Sequence, residues 1–236
     1  CDSRRQRQMC IRDSLILVGD SLGSVLYNYK STRQVTLEKM IEHSKSVRLG
    51  ISKSLMIVDM PYNTYRNKAE ALKNCKKVMK ETKCDGVKLE GGLKIKEIVK
   101  YLIKNKIPVL GHLGITPQTV RGKFKSKGKS ARERNRLLSD AELLEKSGAF
   151  AIVLECVKSD LSKEITRKIT IPTIGIGSSN NCDGQILVTD DILGLTQPKI
   201  KFVKKYIDLR RYIREGISKF TKEVKRKKYP SKKYSY

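Results

Sequence analysis

The sequence of 236 residues has no tryptophan, only four phenylalanines and two histidines, and no apolar run near the roughly 18 residues that a membrane-spanning helix needs. The missing span excludes a helical membrane protein, so a soluble chain is expected. The scarcity of rings leaves few platforms on which unpaired bases could stack. Its six cysteines, Cys1, Cys10, Cys75, Cys84, Cys156 and Cys182, form no Cys-x-x-Cys pair and have no histidine close by in the sequence. Neither a zinc site nor a disulfide framework is therefore encoded. Reduced thiols in a cytoplasmic protein are the expectation. Cys1–Ser14 also lacks the apolar centre of a secretory signal.

Acidic residues are few as well. Against 51 lysines and arginines stand 24 aspartates and glutamates, a net charge of +27. Such an excess raises the question of a nucleic-acid partner. Its distribution answers against one: Lys199–Tyr236 alone holds 15 basic and 3 acidic residues, and the rest is spread thinly. No helix-turn-helix or zinc-finger spacing accompanies it. No specific nucleic acid is expected as a partner, while nonspecific adsorption to polyanions at low salt is.

What is present reads as one domain near the lower length limit of an eightfold α/β barrel, which is typically about 250 residues. Met9–Ser14 spells Met-Cys-Ile-Arg-Asp-Ser, which resembles a translated transposase mosaic end. Residues 1–14 are therefore expected to be a non-native or disordered leader. Residues 15–236 are expected to form the catalytic domain, with a basic helical segment from about residue 199.

Short β-branched runs alternate with longer amphipathic stretches, the signature of repeated βα units around a parallel sheet. The predicted strands are Leu15–Asp20, Leu55–Asp59, Gly86–Glu90, Pro108–Gly114, Phe150–Glu155, Pro172–Gly177 and Gln185–Val188. Ile95, Ile98, Val99, Leu102 and Ile103 have the spacing of a helix that buries one face. A helix is expected from Thr36 to a stop at Gly50, and Asn67 with Glu70 marks another start. Ser139 with Glu142 reads as a capping box, with Gly148 ending that helix.

The chemistry is concentrated where the strands end. Asp20 with Ser21, Asp59, Lys88 with Glu90, His112 and Glu155 each close a predicted strand, and barrel active sites are assembled from such ends. Any one carboxylate could be a helix N-cap. Asp20, Asp59 and Glu90 together would repel unless balanced, and hard oxygen donors of this kind select Mg²⁺. Lys88 and Glu90, two apart, face the same side of their strand. His43 falls on a predicted helix and reads as a surface or core residue.

Seven ordered blocks carry a resemblance: Val-Gly-Asp20-Ser21-Leu-Gly, Val-Asp59-Met-Pro-Tyr, Val-Lys88-Leu-Glu90-Gly-Gly, Gly-His112-Leu-Gly-Ile-Thr-Pro-Gln, Leu-Glu155-Cys-Val, Ile-Pro-Thr-Ile-Gly-Ile-Gly and Asp183-Gly-Gln-Ile-Leu-Val. In order and spacing they resemble the ketopantoate hydroxymethyltransferase family, from about Leu15 onwards. The resemblance implies an α/β fold, the (β/α)8 TIM-type barrel. It implies transfer of a hydroxymethyl group from 5,10-methylenetetrahydrofolate to 3-methyl-2-oxobutanoate, giving 2-dehydropantoate through a Mg²⁺-stabilised enolate, in pantothenate biosynthesis. It places Asp20, Asp59 and Glu90 at the metal, Ser21, Lys88 and His112 with Asp20 and Asp59 around the keto acid, and Glu155 as proton acceptor. Its partners would be the keto acid, the folate, and copies of itself in a ring-based homo-oligomer such as a decamer.

The alternatives are another Mg²⁺-dependent α-keto acid enzyme, of the phosphoenolpyruvate mutase or isocitrate lyase type, and a basic nucleic-acid-binding protein. The chain departs from the family at Gly122–Gly128, which is shorter and more basic, and at Ser178 and Ser179. It also lacks the strand and helix that precede Val-Gly-Asp in the family, so the expected barrel misses its first βα unit.

Overall fold

The computed structural model describes residues 15–119, 125–196 and 200–236. The expected leader and Gly122, Lys123 and Phe124 of the departing loop lie outside the described residues. Two compact units divide after Ile186.

The first unit is built on seven strands: β1 Leu15–Val18, β2 Leu55–Asp59, β3 Gly86–Glu90, β4 Val109–Gly114, β5 Ala151–Glu155, β6 Thr173–Ile176 and β7 Gly184–Gln185. They form one sheet in sequential order, with every neighbouring pair parallel. Between them run α1 Leu22–Tyr27, α2 Leu37–Leu49, α3 Lys68–Thr82, α4 Lys96–Lys104, α5 Ala131–Lys146 and α6 Ser159–Lys168. Sequential parallel order is the order of a barrel. Closure into eight strands is not seen among the described residues, where β1 and β7 are both edges.

Alternation along each strand sorts the side chains into two layers. Met56, Val58, Val87, Leu89, Val109, Leu113, Ile152 and Leu154 pack with helix residues such as Met40, Val78, Leu102, Leu144 and Leu161 in the larger core. The opposite face carries Ile57, Leu110, Ala151, Val153 and Ile174, with Leu15, Leu17 and Ile176 packed against them and no helix residue. Asp59, Lys88, Glu90, His112 and Glu155 have the parity of this second face. They sit at its C-terminal end, above an apolar layer.

Helix boundaries follow their caps. Thr36 accepts from Lys39 N–H and Gly50 ends α2, and Asn67 accepts from Glu70 N–H at the head of α3. The Ser139–Glu142 start is corrected: α5 begins at Ala131, where Ser130 Oγ accepts from Glu133 N–H at 3.2 Å. Glu133 in turn accepts from Gly128 N–H at 2.7 Å, so the Ser-x-x-Glu signature lies nine residues earlier. The predicted strand Gln185–Val188 is corrected to Gly184–Gln185, since Val188 already caps the next helix.

The second unit holds α7 Thr189–Leu193 and α8 Leu209–Lys225, the expected basic helix. Among the described residues no helix is long and apolar enough to cross a membrane, and the four described cysteines, Cys75, Cys84, Cys156 and Cys182, are free.

Candidate active site

The strand register brings the polar ends together. Asp59 pairs with Lys88, Glu90 with His112, and Gly114 with Glu155 across neighbouring strands. Asp20 and Ser21 follow β1 at the head of α1. Gly19 permits this turn: a side chain there would start 3.2 Å from Ser21 Oγ and 3.5 Å from Asp59 Oδ2. Thus all seven residues singled out in the sequence meet at one end of one face of the sheet.

Their contacts form two chains. In the first, Asp20 N–H donates to Asp59 Oδ2 at 3.0 Å, and Lys88 Nζ lies 2.9 Å from Asp59 Oδ1. Lys88 Nζ is 3.3 Å from His112 Nδ1, and His112 Nε2 is 3.1 Å from Glu155 Oε2. The second chain runs through Gln118, which sequence reading did not single out. Its side-chain amide donates to Asp20 Oδ2 and to Met60 O, each at 2.9 Å. Its backbone N–H donates to Glu90 Oε2 at 3.0 Å. Its Oε1 accepts from Tyr65 O–H at 2.6 Å, and its backbone carbonyl from Arg33 Nε at 2.7 Å. The only signal in sequence was its place in the Thr116-Pro117-Gln118 block.

Asp20, Asp59, Lys88, Glu90, His112 and Gln118 are all buried, so charge here is shielded weakly by water. Burial, reinforced by Asp59, pushes the Asp20 carboxyl up to about 7. Burial also raises Asp59 against the opposing pull of Lys88. For Glu90 burial is overcome by His112, Lys88 and Gln118 N–H, and the group is held below its ordinary range. Lys88 is held above its ordinary value because Asp59, Glu90 and Asp20 outweigh its burial. Burial and Lys88 oppose a charge on His112, yet Glu155 and Glu90 prevail and push it up to about 9.

Among the described residues no three histidine, cysteine, aspartate or glutamate side chains stand as a ready set of metal ligands. Both oxygens of Asp59 are engaged, by Asp20 N–H and Lys88. The chemistry of the donors nevertheless fits a hard cation. Glu90 Oε1 is buried with no hydrogen bond of good geometry, His112 Nδ1 lying 3.4 Å away, and Asp20 retains a proton to unusually high pH because of its burial and the nearby Asp59. Excess carboxylate charge of this kind is what a divalent ion relieves. Glu155 is half-buried and stands at the edge of the cluster.

The profile of a family described as ketopantoate hydroxymethyltransferase matches residues 9–232. A 3-methyl-2-oxobutanoate hydroxymethyltransferase from Pelagibacter ubique is 60% identical over 222 residues, covering 94% of this chain and 86% of that protein. One of the same name from Carboxydothermus hydrogenoformans is 47% identical, covering 94% and 82%. Among solved structures, 2,3-dimethylmalate lyase, a PEP mutase/isocitrate lyase superfamily member, aligns with a TM-score of 0.55 over 99% of this chain and 80% of that one. At 8% identity that likeness concerns the fold alone.

Proposed function

Because the chain belongs to the ketopantoate hydroxymethyltransferase family and is a hydroxymethyltransferase, we propose that it moves a one-carbon unit from 5,10-methylenetetrahydrofolate to 3-methyl-2-oxobutanoate, forming 2-dehydropantoate. The observation that carries this reading is the convergence of Asp20, Asp59, Lys88, Glu90, His112 and Glu155 at one end of the sheet, with a half-buried base beside buried carboxylates. Asp20, Asp59 and Glu90 would hold Mg²⁺. When bound, the ion supplies Lewis acidity that makes the C–H next to the keto group easier to ionise.

The chain's own residues do the rest. Lys88, with Ser21 beside Asp59, holds the keto acid by its anionic end and compensates the charge that develops on its oxygen. Glu155 takes the proton from C3 of the keto acid. His112 lies 3.1 Å from Glu155 and fixes the direction in which that carboxylate points. In the net reaction the C3–H bond is replaced by a bond to the one-carbon unit. Water supplies the new hydroxyl group, and the two folate nitrogens that held the carbon each take up one proton as their bonds to it break, one proton from C3 and one from the water. The apolar layer beneath the cluster suits the branched end of the acceptor.

The test is folate-dependent consumption of 3-methyl-2-oxobutanoate in Mg²⁺ buffer, together with exchange of its C3 proton for deuterium in the absence of folate. Glu155→Gln should slow both by about 10²–10⁴-fold. Undiminished exchange in Glu155→Gln removes Glu155 from the role of base, and turnover that needs no folate overturns the donor.

A further inference from the structure

Arg33 stands outside the carboxylate cluster and is tied to it at one remove. It lies in the short turn Thr32–Gln34 between α1 and α2, and that turn is fixed locally. Ser31 Oγ accepts from Arg33 N–H and the Gln34 side chain accepts from Ser31 N–H, each at 3.3 Å. The buried Val35 seats the turn on α1, where Gly23 leaves room for it: a side chain at Gly23 would start 2.7 Å from Val35 Cγ2. The root of the Arg33 side chain is thus fastened to the helix at whose head Asp20 and Ser21 stand.

From there the guanidinium reaches two other loops. Its Nε donates to the carbonyl oxygen of Gln118, after β4, at 2.7 Å, and its central carbon lies over the ring of Tyr62, after β2, 5.0 Å from the centroid. A planar fork can serve an acceptor and a ring at once, whereas an ammonium is a point charge. The bond to Gln118 matters because Gln118 N–H is already held by Glu90 at 3.0 Å. A residue has two soft backbone dihedrals, and with its N–H and its C=O both tied, both are set. The direction of the Gln118 side chain follows, and with it the bonds from its amide to Asp20 Oδ2 and Met60 O. Two of the three proposed metal carboxylates, Asp20 and Glu90, therefore lean on one glutamine whose backbone Arg33 secures.

We propose that Arg33 is a positioning residue of the metal site: by holding the Gln118 carbonyl and the Tyr62 ring it locks the loop after β4 in the arrangement that presents Asp20 and Glu90 to the cation. The inference rests on the reading of Asp20, Asp59 and Glu90 as the Mg²⁺ ligands. Charge alone argues for the opposite sign. A guanidinium near the site repels a divalent cation, so if its charge were what mattered, removing it would tighten Mg²⁺ binding. If its geometry is what matters, removing it loosens the ligands and weakens binding. The two effects are separated by the direction of the change.

The experiment compares R33M and R33K with the unaltered protein by two measurements that need no turnover. In titration calorimetry R33M should bind Mg²⁺ about tenfold more weakly, the lower end of what partners that orient metal ligands contribute. R33K keeps a donor and a charge but not the fork, and its affinity should fall between the two. Amide exchange followed by NMR in EDTA should be at least about fivefold faster at Gln118 in R33M and unchanged at Val87 in β3, because the loop loosens locally and the sheet does not. R33M that binds Mg²⁺ as tightly as the unaltered protein, or more tightly, overturns the role and leaves the ligands standing. Unchanged exchange at Gln118 overturns it as well, as does an equal rise at Gln118 and Val87, which marks general destabilisation. If the unaltered protein binds no Mg²⁺, the metal reading fails and this role fails with it.

Discussion

At the residue scale, Gln118 shows what a side-chain amide can do that no charged residue could. It donates to one carboxylate and one carbonyl, accepts from a phenol, and offers its backbone N–H to a second carboxylate. Gln118→Ala would strand Asp20 and Met60 O, both buried, where an unmet polar group costs about 1–3 kcal/mol, and the part-buried Tyr65 O–H. Mg²⁺ affinity by calorimetry should fall by about 10–100-fold, as for other partners that orient metal ligands, with a lower melting temperature. Unchanged Mg²⁺ affinity would detach Gln118 from the metal. His112 gives a pH signature. Its pKa of about 9 in the fold is raised from about 6.5 in the unfolded chain. A raised value means stabilisation that is complete below about pH 6.5 and lost as pH rises through about 9, on the order of 3 kcal/mol. Denaturant unfolding in EDTA should show this decline, and His112→Asn should flatten it between those limits. The charged members of the cluster were legible because strand alternation and strand ends expose them to reading. Gln118 was not, because a loop has no periodicity and its partners are set by four other segments.

At the element scale, the strands were legible almost to the residue: β2 and β3 have their predicted bounds and β4, β5 and β6 differ only at their ends. Buried parallel strands are short, β-branched and bounded by polar ends, so the sequence marks them twice. The start of α5 was hidden because Arg132, Arg134 and Arg136 leave its first turns without an apolar stripe, and the cap at Ser130 precedes it. What no pattern revealed is how β4 ends. Gly114 has φ +100°, and a Cβ there would fall 2.1 Å from the carbonyl oxygen of Glu155, which accepts from Ile115 N–H at 2.9 Å. Gly114→Ala should therefore cost about 1–3 kcal/mol for the backbone alone and also displace Glu155. Activity should fall more than the lowered melting temperature accounts for at the assay temperature. Gly50→Ala is the contrast. With φ −90° and its nearest neighbour 3.6 Å away, it should be neutral or stabilise by about 0.4–1 kcal/mol.

At the scale of the whole molecule, the sequence foretold parallel order and seven strands but not whether the sheet closes on itself, since strand edges depend on partners that a single chain does not declare. Charge is the other property of this scale. The chain carries a net charge of +27, and α8 presents Arg210, Arg214, Lys219, Lys222 and Lys225 without a single buried residue. The pocket assigned to catalysis has the opposite character, with buried carboxylates in excess of cations, so a polyanion has no reason to enter it. Surface attraction of this kind works by counterion release and fades steeply with salt. Fluorescence anisotropy with a short DNA duplex should detect binding at about 50 mM salt and lose about 10³-fold of the affinity by about 200 mM. Shuffling the base sequence should leave the curve in place, because phosphates position a protein and only base edges specify it. Turnover of the keto acid near physiological salt should be indifferent to added duplex. Submicromolar binding that survives at that salt, or a preference among sequences, would show that the charge serves a nucleic-acid partner after all.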